Sequence, residues 1–195
     1  KRVGNRVVEG YALANLGYAL AGQERWAEAL ETFGVSLQLA TELGRPRLAL
    51  AVRLYRARAM LDAGEPAAGI MAEARAIAEA ARAELLPALQ ATALALASRA
   101  ALNADEREGA LQDAERAMAL RDEIGAMEED EAEVFLAFAD ALRASGELER
   151  AREVVARGAS RLEFLAGRIA DTDWRARFLV EVPMNRRLIE LDGAV

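Results

Sequence analysis

Histidine and cysteine are both missing from the 195 residues of this chain. Without cysteine there is no disulfide, no thiolate nucleophile and no sulfur-held zinc. Without histidine the commonest general base and the commonest metal ligand are absent. Lysine occurs once, as Lys1, so positive charge is carried almost wholly by arginine; 25 basic against 32 acidic residues leave a net charge of -7. These charges are interleaved instead of clustered, which argues against nucleic acid, whose phosphates need gathered cations. The longest uncharged stretches, Gly10 to Gln23 and Leu85 to Ser98, fall short of the roughly 20 apolar residues of a membrane span. No glycine-rich phosphate loop precedes a lysine. The expectation is a cytoplasmic protein that binds neither membrane nor nucleic acid.

Alanine dominates what is present, with few β-branched residues and 4 prolines, and that mixture favours helix almost throughout. Small residues recur in a fixed frame. Gly17, Ala57, Ser98 and Ala139 are spaced by 40, 41 and 41 residues. Each is followed twelve positions later by Ala29, Gly69, Ala110 and Ala151, and seven further on by Ser36, Ala76, Ala117 and Gly158. Turn-compatible residues precede the second set at Glu24, Gly64, Asp105 and Gly146. Gly4, Gly44 and Gly125 mark the joints between repeats, and Pro46 and Pro87 lie 41 apart. Small residues at matched sites let two antiparallel helices approach closely. Helices are therefore expected at about 6–22, 25–43, 46–63, 66–83, 87–103, 107–123, 128–145 and 148–168, with Pro66 in a first helical position.

The first copy, Asn15-Leu16-Gly17-Tyr18-Ala19-Leu20 followed by Trp26-Ala27-Glu28-Ala29-Leu30 and Phe33, resembles a tetratricopeptide repeat. Later copies depart from that pattern: Arg56 replaces the leucine before the small residue, and Glu73 and Ala114 stand in place of Phe33. The long repeat and its Leu43-Gly44-Arg45 joint are similar to repeats in large bacterial signalling proteins, among them ATPase-type transcriptional regulators, nucleotide cyclases and protein kinases. The resemblance implies a right-handed α-solenoid of four hairpins, about 6–43, 46–83, 87–123 and 128–168 within residues 1–168, with a capping helix and tail over 169–195. It also implies a protein- or peptide-binding module with no cofactor.

Lys1 to Arg6 reads as an inter-repeat joint, so an earlier repeat is expected before it and an apolar flank is expected on the first helix, through which a homodimer would form. At the other end, Asp171-Thr172-Asp173 offers N-cap chemistry. Trp174, Phe178, Leu179, Leu188 and Ile189 are expected to cover the last hairpin, leaving Arg175, Arg177, Arg186 and Arg187 outside. The tail resembles the C-terminal ends of the same bacterial families.

No catalytic group or metal site is expected. The acidic run Glu128-Glu129-Asp130-Glu131 with Glu133 reads as a helix start favoured by the dipole. The first helix of each pair lines the concave side. Projected there are Tyr11, Ala14 and Tyr18; Leu54, Arg58 and Asp62; Thr92, Ala95, Arg99 and Asn103; then Glu133, Leu136, Asp140 and Arg143. Arg58 and Arg99 fall in equivalent places and are suited to hold a carboxylate or an extended peptide. Tyr18 would supply a flat apolar contact, and Asn103 a bond to peptide backbone. The plainer alternative pairs Arg58 with Asp62 and Arg99 with Asn103 along their own helices. The residues that clamp chaperone C-terminal carboxylates in some tetratricopeptide proteins are not reproduced, since Ala14, Leu54 and Ala95 stand where cations are needed. A small-ligand sensor of a transcriptional regulator and a self-association scaffold are the competing functional readings.

Overall fold

A computed structural model describes residues 3–127 and 129–193. Lys1 and Glu128 of the sequence reading lie outside the described residues. Among the described residues ten helices follow one another: α1 (Val3–Gly22), α2 (Trp26–Glu42), α3 (Pro46–Asp62), α4 (Ala67–Ala83), α5 (Pro87–Asn103), α6 (Arg107–Ile124), α7 (Glu131–Ala144), α8 (Leu148–Ala166), α9 (Thr172–Val180) and α10 (Pro183–Gly193). No strand occurs among the described residues. Each helix packs on its neighbours in the chain, and α1 on α3, α3 on α5 and α5 on α7 as well, which makes an α-solenoid of stacked hairpins.

The expected turn positions have a common geometry. Glu24, Gly64, Asp105 and Gly146 all adopt the left-handed conformation. At each one the next amide reaches back to an equivalent carbonyl: Arg25 to Leu20, Glu65 to Met60, Glu106 to Ala101 and Glu147 to Leu142, at 2.8 to 3.0 Å. This six-to-one bond seals the last turn of a helix whose carbonyls would otherwise lack partners. The joint at Gly44 does the same, Arg45 donating to Ala40, and Leu86 donates to Ala81 across a left-handed Leu85. Pro46 and Pro87 open their helices at the first position. Pro66 differs from expectation. It sits in an extended conformation just before α4, which starts at Ala67.

Small residues sit at the crossings. Gly17 faces Phe33 so closely that an added Cβ would lie 2.6 Å from the ring, and Gly158 would meet Leu188 and Phe135 at 2.7 and 2.9 Å. The second hairpin is looser, for a Cβ at Gly69 would meet nothing within 4 Å. Apolar burial correspondingly divides in two. One cluster joins α1, α2 and part of α3 around Phe33, Leu48 and Val52. The other runs from Leu50 through α5 and α7 to Leu188. α5 is enclosed almost all round, from Gln90 to Ala101, so it has no polar face.

The C-terminal cap departs from the sequence reading at Trp174. Asp171 accepts from the amides of Asp173 and Trp174, which fixes where α9 begins. From that start Phe178 and Leu179 turn inward, and Arg175 binds the Ile169 carbonyl. Trp174, expected to cover the last hairpin, is instead 64% exposed. Leu188 of α10 is the plug, wholly buried against α7 and α8. No described helix is long and apolar enough to cross a membrane.

Candidate functional site

The acidic start of α7 organises the side of the stack on which Arg58 and Arg99 lie. Glu131 and Glu133 are two residues apart, about 200° around a helix, so they point to opposite faces. Both are buried. Glu131 takes Arg121 and Arg161 on one side, at 2.6 and 2.9 Å. Glu133, only 1% exposed, takes Arg58 through one oxygen and Arg99 through the other, the latter at 2.9 Å. Arg58 also reaches Asp130 at 3.0 Å, and Arg99 reaches Asp62 at 2.7 Å. From sequence these acids read as a helix start favoured by the dipole, with Glu133 projected into the groove. In the fold they anchor four arginines.

The two arginines do hold a carboxylate, as their spacing suggested, but it is the chain's own. Neither along-helix pairing forms: Arg58 ignores Asp62, and Arg99 bonds Asp62 of the preceding hairpin rather than Asn103. The reason is the stacking of the hairpins. Stacking brings the start of α7 over α5 and within reach of α3, where a buried carboxylate in low dielectric outcompetes a solvated pair one turn away. Burial works against the Arg58 charge, yet Glu133 and Asp130 more than compensate, and its pKa is raised. Arg58 Nε is buried and unpaired among the described residues.

Beside this network lies an aromatic ledge. Tyr18 and Tyr55 meet edge to face with ring centres 5.2 Å apart, and the Arg58 guanidinium lies 5.9 Å from the Tyr18 centroid. Tyr11 and Tyr18, two turns apart on α1, keep 45% and 47% of their surface exposed. The Tyr55 hydroxyl donates to Glu129 at 3.4 Å. Burial, followed by the negative charge of Glu129, pushes the Tyr55 phenol up to about 12. Burial also raises Tyr18. Tyr55 was not among the groove residues expected from sequence. Its half-buried ring is placed by packing on Tyr18 and Phe33, and the repeat frame carries no signal for it.

The remaining expected groove residues divide by burial. Leu54, Thr92 and Leu136 belong to the helix-packing core, at 1%, 4% and 1% exposure, so they offer a partner nothing. Adjacent first helices approach too closely at those positions to leave them open. Ala14 and Ala95 are buried as well. Asp62 and Asn103 are exposed, and Asp140 and Arg143 half-buried. Asp140 is bound by Arg187 of α10 at 2.6 Å, so the cap closes that end of the groove. Tyr11 and Tyr18 also stay open, with Glu129 exposed beside them through its bond to Tyr55.

The stacking face of α1 is also open. Val8, Ala12 and Leu16 are exposed there, whereas their counterparts Leu48, Val52, Ala93 and Ala97 are buried under the preceding hairpin. No protein-family model matches this chain, and no curated protein matches it.

Proposed function

We propose that the chain is a non-catalytic, tetratricopeptide-type module that holds an extended segment of a partner protein along its concave side. In this reading it serves as the regulatory or scaffolding part of a larger, cytoplasmic bacterial signalling protein. The observation that carries the reading is the pair of half-exposed tyrosines, Tyr11 and Tyr18, beside an arginine pair already neutralised by Glu133, Asp130 and Asp62. Tyrosine supplies a rigid contact area at low entropic cost, and such rings dominate binding surfaces.

The charges beside the ledge select the partner. Arg58 and Arg99 face Asp62, Asp130, Glu133 and the exposed Glu129, so negative charge is in excess. A free carboxylate would have to displace a buried one. The segment that fits carries an aromatic or apolar side chain for the tyrosines and an adjacent lysine or arginine for Glu129. Selection from a displayed library of random peptides tests this. Enriched sequences should pair an aromatic residue with a basic one, and should lose binding to a Tyr11→Ser, Tyr18→Ser protein. Enrichment of acidic sequences, or equal binding to that variant, rejects the proposal.

A further inference from the structure

On the side of α3 away from Arg58, a cavity of about 390 Å³ opens at the seam between the two apolar clusters. Its origin is legible in the repeat. Where the first hairpin fills its crossing with Phe33 over Gly17, the second has Ala57 opposite Gly69, and Glu73 in the place of the phenylalanine. Glu73 is drawn off to Arg53, at 2.8 Å, which closes one end of the slot. Nothing fills the space beside Gly69. Leu37, Met60 and Ile70 supply the apolar lining.

Arg56 stands on the rim, exposed, and makes no ion pair among the described residues. It replaces an apolar residue of the other repeats (Leu16, Ala97 and Phe138). Glu65, also on the lining, lies past the end of α3, at least about 9 Å of helix rise beyond Arg56, so Arg56 is the nearer of the two along α3 to an anion placed at its own end of the slot. The volume lies in the range of small-molecule sites, which join an apolar body to one or two fixed polar groups.

We infer that this slot binds a small amphiphile with a compact apolar body and one anionic group, the body beside Gly69 and the anion on Arg56. This site is separate from the tyrosine ledge and does not depend on the reading given to it. The fluorescent anion 8-anilinonaphthalene-1-sulfonate and its uncharged relative N-phenyl-1-naphthylamine are suitable probes. The wild-type protein should bind the anion saturably at one site, and the methyl signals of Met60 and Ile70 should shift on titration. Gly69→Leu, which fills the slot, should abolish binding while helix content and melting temperature are kept. Arg56→Gln should weaken the anionic dye by about tenfold, the worth of one good charged contact, and leave the neutral dye unchanged. Absence of saturable binding, dye bound without movement of the Met60 and Ile70 methyls, or undiminished binding by a folded Gly69→Leu protein would each overturn the site. Equal loss of both dyes in Arg56→Gln overturns its anionic character. Should Gly69→Leu fail to fold, the methyl shifts in the wild type decide.

Discussion

Glu133 binds Arg58 across 75 residues of sequence, joining the fourth hairpin to the second over the top of the third. Removing one member of a buried ion pair strands the other in low dielectric. Glu133→Ala should therefore lower stability by about 3 kcal/mol in urea unfolding, and the double change Arg58→Met, Glu133→Leu should recover most of the loss. A loss under about 0.5 kcal/mol, the range of ordinary surface changes, would mean that the network is not formed in solution.

Tyr55 gives the protein an alkaline limit. In the unfolded chain a phenol ionises at about 10, while in the fold Tyr55 is pushed up to about 12. Between these values the unfolded state has released a proton that the folded state keeps. The contribution is complete below the lower value and disappears as pH rises to the upper one. Stability measured from pH 9.5 to 12 should fall more steeply in the wild type than in Tyr55→Phe.

The crossing glycines should respond in opposite directions. Gly17→Ala and Gly158→Ala press a Cβ to within 3 Å of aromatic or leucine carbons, and each should cost roughly 1–3 kcal/mol by overpacking. Gly69→Ala meets open space and should gain about 0.5–1 kcal/mol from helix propensity. Thermal unfolding of the three variants distinguishes them.

Equivalent repeat positions should differ as their burial does. Leu16 is 51% exposed and its counterpart Ala97 is fully buried. Leu16→Glu should change stability by less than about 0.5 kcal/mol, while Ala97→Glu should cost more than about 4 kcal/mol, as an unpaired buried charge does. Circular dichroism melts report both.

The helices were legible because their ends obey local rules. Glycine or a polar residue at the left-handed site, proline at a helix start and small residues at the crossings recur every 40 or 41 residues, and these features fall within the reach of one hairpin. The groove was only partly legible. Helical projection put Arg58, Arg99 and Glu133 on one side of the stack, but which carboxylate each arginine takes depends on how the second, third and fourth hairpins stack on one another. Leu54, Thr92 and Leu136 project to the same side, and only the close approach of neighbouring helices withdraws them. Trp174 lies within about 40° of Phe178 on the helix, so its exposure is decided by how α9 docks on the last hairpin, which the spacing of residues does not carry.

The most direct measurement compares one selected peptide, by fluorescence anisotropy, against wild type, Tyr11→Ser with Tyr18→Ser, and Arg99→Gln. With the arginines committed to Glu133, affinity should drop about tenfold or more for the tyrosine variant and stay within about twofold for Arg99→Gln. Loss confined to Arg99→Gln, with the tyrosine variant binding like wild type, would contradict a ledge that binds beside a carboxylate already in place.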